Sequence, residues 1–182
     1  MLEERQRLRE ARRRLWIERE VSVALWMHGA ATRPAVLLTL LATSWLGDGA
    51  LWFALIATLP WWGGAAGLTC AIYMVALGSV NLVFYKALKQ RIARPRPFVS
   101  CNGIRACARS LDEFSFPSGH TMHAVAFSLL VVHYYPALAL PLWGFTALVA
   151  VSRVVLGLHF PSDVAAGALI GWLTGMFMLV II

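Results

Sequence analysis

Apolar residues dominate the chain after residue 30, and short breaks rich in glycine, proline or polar residues divide them into segments. A helix needs about 20 mostly apolar residues to cross a bilayer, so each segment is a candidate membrane span. The pattern predicts an all-α fold, a polytopic membrane helical bundle with about six transmembrane helices. The predicted spans are 30–46, 49–62, 64–88, 119–135, 137–156 and 161–182.

The first 29 residues follow a different pattern, in which charged residues alternate with apolar residues at helical intervals. This pattern predicts an amphipathic helix along the membrane surface, with Trp16 and Trp26 at the level of the lipid headgroups. A solvated helix is the alternative interpretation. The chain is therefore predicted to have two parts, an interfacial helix at 1–29 and a six-span domain at 30–182.

Composition narrows the class of protein. Hydrophobic residues make up 59% of the 182 residues and charged residues only 14%, whereas a soluble domain is roughly 45–50% apolar and about 25% charged. A formal net charge of +7 would suit a nucleic-acid-binding protein, but such a protein does not also carry this much apolar surface. We therefore expect the lipid bilayer as a partner of the chain, and we expect no nucleic acid as a partner.

Six crossings would bring the polar connection at 89–118, the predicted active-site loop, and the short connection at 157–160 to one side of the membrane. The amino terminus would then lie on the opposite side. Eight Lys and Arg residues fall on each side in this topology. The tendency of positively charged loops to face the cytoplasm therefore does not set the orientation.

Three clusters of polar residues interrupt the apolar pattern. The first, at 89–97, combines four cations with two prolines, and its simplest interpretation is a basic flank that anchors a span to anionic headgroups. The second lies at 116–120, where Ser118 suits a helix N-cap and Gly119 would let an anion approach the free N–H groups of the helix start. His120 would then lie within reach of the anion, although a plain cap with a surface histidine fits the same residues.

The third cluster places Arg153, His159 and Asp163 around the predicted junction of the last two spans. Ionisable residues at such positions are costly unless they serve a polar site. Asp163 could accept a hydrogen bond from one imidazole nitrogen of His159 and leave the other nitrogen free as a nucleophile. A purely structural His–Asp pair is the alternative.

Together the clusters supply what phosphoryl transfer needs. Arg96 and Arg153 can each bind two phosphate oxygens, Lys89 adds a point charge, and the helix start after Ser118 adds N–H donors. Two histidines can serve as nucleophile and proton donor. The sequence has no carboxylate cluster for Mg²⁺ and no Cys/His set for Zn²⁺, so no metal or other cofactor is expected.

These clusters resemble the signature of the type 2 phosphatidic acid phosphatase family, membrane lipid phosphatases that share a catalytic core with vanadium haloperoxidases. The signature consists of Lys-x6-Arg-Pro, Pro-Ser-Gly-His and Ser-Arg-x5-His-x3-Asp. All eleven fixed positions are matched in order between residues 89 and 163.

The resemblance implies a role for each matched residue. His159 would attack phosphorus to form a phosphohistidine, Asp163 would orient it, and His120 would protonate the leaving oxygen and later activate water. The remaining matched residues would bind the phosphate, and these are Lys89, Arg96, Ser118, Gly119 and Arg153. The resemblance also implies that no metal takes part.

The resemblance further implies a phosphorylated membrane lipid as substrate, of the undecaprenyl diphosphate, phosphatidylglycerol phosphate or phosphatidate type. It implies an integral protein of the bacterial inner membrane, with its site facing the periplasm or exterior and its amino terminus in the cytoplasm. Cys101 and Cys107 would share an exposed loop in an oxidising compartment, where a disulfide could join them. Two alternatives stay open: a lipid phosphotransferase using the same phosphohistidine, and a non-enzymatic protein that binds anionic lipid.

Overall fold

The computed structural model describes residues 2–182, and helices form its secondary structure without a strand in that part of the chain. Met1, at the start of the predicted interfacial helix, lies outside the described residues, as do the side chains of residues 2, 3, 6, 7, 9 and 13. The all-α prediction is confirmed. Helices α1 to α7 are Leu2–His28, Pro34–Trp45, Leu51–Ile92, Pro97–Ser100, Gly119–Tyr134, Ala139–Val155 and Pro161–Ile181. Short helical turns follow α1, α2 and α5 at Gly29–Thr32, Leu46–Ala50 and Pro136–Leu138.

Helix α5 is the centre of the bundle and packs against α3, α6 and α7. It runs alongside α7, because Gly167 of α7 lies against Ser118 and Gly171 lies against Met122 one turn later. A Cβ at Gly171 would come within 2.2 Å of the Met122 carbonyl oxygen, so glycine lets the two backbones approach closely, as in other membrane helix pairs. We call the end of the bundle where α5 and α7 begin the site end. The opposite end, where α5 finishes, is the far end.

Helix α3 reverses direction at Gly64, whose φ of 56° lies in the left-handed region that glycine tolerates. A Cβ at Gly67 would lie 2.0 Å from the carbonyl oxygen of Leu59, although residues eight apart in a straight helix are about 12 Å apart. The reversal lies at the far end, where the ring centroids of Trp62 and Tyr135 are 4.8 Å apart. The structure therefore bends where the sequence predicts the boundary between two spans.

Three helical stretches of the described chain are long and apolar enough to cross a membrane, and these are Pro34–Ser100, Pro136–Val155 and Pro161–Ile181. Helix α5 has 16 residues and is shorter than the other candidate spans. The predicted membrane helical bundle is thus confirmed in kind. The number of six crossings stays a prediction.

Helix α2 differs from the predicted first span at 30–46. Both of its ends contact the last turns of α6: Val36 packs against the apolar cluster that contains Val155, and the hydroxyl of Ser44 accepts a hydrogen bond from Arg153. Helix α2 therefore lies across the site end.

Helix α1 spans almost the whole segment predicted as an interfacial helix, and it also lies at the site end. Ala24 is buried in an apolar cluster with Val154 and Phe160. The Nδ1 atom of His28 lies 2.9 Å from the carbonyl oxygen of Val155, at the end of α6. Both contacts join α1 to the connection between α6 and α7.

The prediction that the amino-terminal segment lies opposite the active-site loop is therefore wrong for residues 20–33, which contact the loop or the connection of α6 to α7. The turn at Leu46–Ala50, in which Gly49 has a φ of 144°, ends α2 after 12 residues. The long apolar helix begins only at Leu51. Helices α1 and α2 consequently stay on the same end of the bundle as the polar loop.

Candidate active site

The three sequence motifs meet at the site end. Lys89 lies in the last turn of α3 and Arg96 directly precedes α4, while the second motif begins α5 and the third joins α6 to α7. The backbone N–H of Ser118 donates to the carbonyl oxygen of Asp163 at 3.0 Å and so ties the second motif to the third. The fold thus brings together residues that are up to 74 positions apart in the chain.

His159 is held in one tautomer by the backbone. Its Nδ1 atom lies 2.6 Å from the carbonyl oxygen of Ser115, which can only accept, so Nδ1 carries the proton and Nε2 keeps a lone pair. Burial lowers the pKa of His159 well below its usual value, and the positive charges of Arg153, Arg96 and Lys89 lower it further. His159 is therefore a neutral imidazole, and its free Nε2 lies 3.4 Å from Nη1 of Arg96.

Asp163 contacts His159 less directly than the sequence predicts. Its Oδ2 atom is 3.9 Å from Nδ1 of His159 and accepts the backbone N–H of Phe160 at 2.8 Å, an arrangement that caps α7. Its Oδ1 atom accepts a hydrogen bond from Arg94 at 2.8 Å. The carbonyl of Ser115 takes the hydrogen bond expected for the carboxylate, because the cap and Arg94 hold the carboxylate away from the ring.

Arg94 links Asp163 to helix α1. Its Nη2 atom pairs with Glu20 at 2.7 Å, while Nη1 donates to Asp163 and to the hydroxyl of Ser162. Glu20 also accepts the backbone N–H of Ser162 at 3.0 Å. Burial would raise the pKa of Glu20, but the hydrogen bonds from Ser162 and Arg94 and the charge of Arg94 lower it below its usual value. An ionised side chain of α1 therefore holds the first turn of α7.

Lys89 and Arg96, both buried, share one carboxylate partner. The Oδ1 atom of Asp112 lies 2.5 Å from Nζ of Lys89 and 2.9 Å from Nη2 of Arg96, and the hydroxyl of Tyr85 donates to Oδ2. Burial would raise the pKa of Asp112, but the hydrogen bonds from Lys89 and Tyr85 and the two positive charges lower it below its usual value. An ionised carboxylate therefore lies between the two cations, where a phosphate oxygen could also bind.

The start of α5 presents backbone N–H groups to the same region. The first intrahelical hydrogen bond runs from the N–H of Met122 to the carbonyl of Ser118, so the preceding N–H groups of the helix are available for an anion. Ser118 occupies the N-cap position of α5 as predicted, but its hydroxyl lies 3.0 Å from the Thr121 hydroxyl and makes no capping bond to the backbone. A Cβ at Gly119 would come within 2.5 Å of the Tyr85 ring, so only glycine fits there.

His120 is paired with Asp48, which belongs to none of the sequence motifs. The Nε2 atom of His120 hydrogen-bonds to Oδ1 of Asp48, in the turn between α2 and α3. A carboxylate in this position favours the protonated imidazole, which is the form that a proton donor needs. The turn that ends α2 therefore also delivers a residue to the candidate site.

Arg153 reaches the site from the last turn of α6 and is 1% exposed. Its Nη1 atom donates to the hydroxyl of Ser44 at 2.6 Å, while its Nε atom has no hydrogen-bond partner among the described residues. A buried guanidinium with an unused donor is suited to binding an anion.

A cavity of about 440 Å³ adjoins His120 between α3 and α5. Its lining is mostly apolar and includes Trp52, Met74 and Phe127, and Asp48 and His120 are among its polar residues. Such a cavity matches a molecule with an apolar chain attached to a polar group.

The motifs did not identify Asp48, Asp112 or Glu20. The signal for the two aspartates is that the chain has only nine acidic residues, and these two lie in polar breaks between apolar segments, Asp48 between two glycines and Asp112 in the loop between the first two motifs. Glu20 resembles the other charges of α1 and has no distinguishing signal in the sequence.

In the described part of the chain, no group of three His, Cys, Asp or Glu residues could hold a metal ion. Cys101 and Cys107 are free thiols, so the disulfide does not form in this structure.

Curated relatives of the chain are named as phosphatases that act on lipid-linked phosphates. The chain is 29% identical over 168 residues to the decaprenylphosphoryl-5-phosphoribose phosphatase of Mycobacterium tuberculosis, covering 86% of each protein. It is 28% identical over 124 residues to the undecaprenyl-diphosphatase BcrC of Bacillus subtilis, covering 68% of this chain and 64% of that protein. It spans only 26% and 53% of the lengths of two further curated relatives.

The fold is also that of a solved structure. The crystal structure of Aquifex aeolicus LpxE superposes with a TM-score of 0.77 at 24% identity, covering 87% of this chain and 93% of that one. The family model of the PAP2 superfamily matches residues 67–182, which is more than half of the chain and includes all three motifs. On this match, the chain belongs to the PAP2 superfamily.

Proposed function

We propose that the chain is an integral membrane enzyme that removes phosphate from a lipid phosphate or diphosphate through a phosphohistidine at His159. The observation that carries this proposal is the environment of His159, whose Nδ1 is bound to the Ser115 carbonyl and whose free Nε2 faces Arg96. A neutral, fixed imidazole beside a buried guanidinium suits attack on a phosphorus atom that the guanidinium binds.

In the first step, a bond forms between Nε2 of His159 and phosphorus while the bond from phosphorus to the lipid oxygen breaks. His120, with its protonated form favoured by Asp48, donates a proton to the leaving oxygen. In the second step His120 takes a proton from water, the water oxygen attacks phosphorus, and the N–P bond breaks to release phosphate. Asp163, whose carboxylate lies 3.9 Å from Nδ1 of His159, would stabilise the positive charge that develops on the ring and completes the proposed catalytic set.

The phosphate would be bound by cations and backbone N–H groups. Arg153 has an unused Nε donor, Lys89 and Arg96 would exchange Asp112 for phosphate, and the helix start at Ser118 and Gly119 offers N–H groups. The donors around this site are cationic rather than carboxylate, so we propose that the reaction needs no metal and that EDTA leaves activity intact.

The apolar cavity beside His120 supports a lipid as substrate. The names of relatives refer to undecaprenyl diphosphate and to a decaprenylphosphoryl sugar phosphate, which are polyprenyl lipids. We propose a substrate of this class, or a phosphatidylglycerol phosphate or phosphatidate. The apolar lining of the cavity suits the first part of a lipid chain.

We propose that the domain at 30–182 crosses the membrane five times rather than six. Helix α3 would cross twice around Gly64, and α5, α6 and α7 once each. Helix α2 would lie at the membrane surface with the interfacial helix, because both of its ends contact the end of α6. We further propose that this membrane is a bacterial inner membrane, which the bacterial relatives support.

The test is phosphate release by the purified full chain from a panel of lipid phosphates and diphosphates. We expect release that His159→Ala abolishes, while His133→Ala, an exposed histidine near the far end, retains it. We also expect His120→Ala to accumulate a ³²P-labelled, acid-labile phosphoenzyme. Full activity in His159→Ala would refute the mechanism. Transfer of label to an added second lipid, with little free phosphate, would favour the phosphotransferase instead.

A further inference from the structure

The nine Lys and Arg residues from Arg33 onward lie at the site end, and the other seven lie in α1, whose last turns reach the same end. Eight lie in α1 or directly after it, and contacts from Glu20 and His28 place this helix beside the connection of α6 to α7. The others lie in the last turns of α3 and α6 or in the loop between α3 and α5. The far-end connections, at residues 63–64 and 135–138, contain no Lys or Arg. The two ends of the bundle are therefore charged very differently.

Catalytic duties account for only a few of these cations. Lys89, Arg94, Arg96 and Arg153 are engaged by residues of the candidate site, which leaves twelve. Even without α1, five exposed cations stay at the site end: Arg33, Lys86, Arg91, Arg105 and Arg109. The candidate active site thus accounts for four of the sixteen cations. The other twelve are of the kind that sets the orientation of a membrane protein.

Short connections rich in Lys and Arg remain on the cytoplasmic side of a bacterial membrane, where anionic lipids and the membrane potential also favour them. The far end has the composition of a translocated surface, because its short turns are uncharged and border exposed Trp61 and Trp62. Tryptophans at this level anchor a helix bundle without opposing translocation. At the site end, exposed Trp16, Trp26 and Trp45 accompany the cations.

We infer that the active site faces the cytoplasm, and that its lipid substrate lies in the cytoplasmic leaflet of the membrane. The orientation follows from the charge distribution and the contacts of α1. The part about the substrate rests on the proposed function. The periplasmic orientation that the resemblance implies requires the amino-terminal segment to lie opposite the site. The contacts of α1 place its last turns at the site end, so this requirement is not met.

This orientation limits the reactions that can supply the substrate. A site in the cytoplasmic leaflet receives lipids whose phosphate is introduced by transfer from a soluble cytoplasmic donor, such as a nucleotide or a phosphorylated sugar. A lipid diphosphate released at the outer surface would have to cross the membrane first. The product phosphate would be released into the cytoplasm.

Cysteine labelling in intact bacterial cells tests the orientation. In a background with Cys101→Ser and Cys107→Ser, Asn102→Cys reports on the site end and Ala137→Cys on the far end, both at exposed positions, while Cys70 is fully buried. With a membrane-impermeant maleimide, we expect Ala137→Cys to react in intact cells. Asn102→Cys should react at least tenfold less until the cells are permeabilised. The reverse pattern, or equal reaction of both in intact cells, would overturn the inference.

Sealed vesicles test the leaflet with a short-chain phosphatidate that does not cross the membrane. Inside-out vesicles should release phosphate without detergent, whereas right-side-out vesicles should gain at least fivefold activity when detergent opens them. The inference would be overturned if right-side-out vesicles released phosphate without detergent and inside-out vesicles needed detergent to do so. If the solubilised protein releases phosphate from no lipid while the labelling pattern holds, the proposed function fails and the orientation stands.

Discussion

Replacing Asp112 by Asn tests whether this carboxylate competes with phosphate for Lys89 and Arg96. The amide keeps the shape of the side chain but removes the charge that the two cations contact at 2.5 and 2.9 Å. Removing one partner of a buried ion pair costs about 3–5 kcal/mol. Asp112 is 27% exposed, so water can replace part of the contact. We expect the free energy of unfolding without phosphate to fall by about 2 kcal/mol.

The affinity for phosphate should change in the opposite direction. A phosphate charge about 5 Å from the carboxylate is repelled by about 3 kcal/mol at an effective dielectric constant of about 20. We expect roughly half of this energy to persist after water and side chains rearrange, which corresponds to about a tenfold change in affinity. The inhibition constant of inorganic phosphate should therefore fall about tenfold in Asp112→Asn.

The assay combines initial rates of phosphate release, with inorganic phosphate as competitor, and thermal unfolding with and without phosphate. Phosphate should raise the melting temperature of Asp112→Asn more than that of the unchanged protein. Glu113→Gln, the exposed neighbour, is the matched control and should change neither quantity. Weaker phosphate binding by Asp112→Asn would refute the reasoning, because it would mean that the carboxylate arranges the cations for phosphate rather than competing with it.

Three further predictions concern other contacts of the site. Because burial and neighbouring cations lower the pKa of His159, the acidic limb of the kcat/KM profile should lie below pH 6.5, and a limb above pH 6.5 would contradict this. The free energy of unfolding should also fall as the pH drops below 6.5, because the unfolded chain then binds a proton that the folded histidine does not. Asp48→Asn should lower kcat about tenfold and move the basic limb to lower pH, because His120 loses the charge that favours its protonated form, and Asp48→Glu should restore part of the rate. Glu20→Gln should lower kcat several-fold and reduce the melting temperature, since the first turn of α7 loses an ionised partner; an unchanged rate would show that α1 does not influence the site.

Membrane character and chemistry could both be predicted from the sequence, for different physical reasons. A chain in lipid must satisfy its backbone hydrogen bonds within helices, so long apolar segments report helices directly. Ionisable residues in such a chain are costly, so the spacing of Lys89, Arg96, His120 and His159 stands out against an apolar background. The break at Gly64 was visible for a similar reason, because glycine permits the backbone conformation that the reversal requires.

The contacts of individual side chains could not be predicted in the same way. The sequence offers Asp163 as the natural partner of His159, but the carbonyl of Ser115 takes that position because the cap of α7 and Arg94 hold the carboxylate. Asp112 lies in a loop without periodicity, and only the folded loop brings it between two cations. The hydropathy pattern likewise predicts a span that includes α2, because hydropathy measures how apolar the residues are and not which residues they contact.

The sequence by itself determined that this is a helical membrane protein with a cationic, histidine-containing site, because composition and residue spacing are local properties. Only the tertiary structure decided where residues 20–50 lie, because that depends on contacts such as those of Glu20 and His28 with residues more than a hundred positions away. The same contacts turn a balanced distribution of sixteen cations into a one-sided one. The chemistry of the site was readable along the chain, whereas the face of the membrane on which it operates depends on how the helices pack.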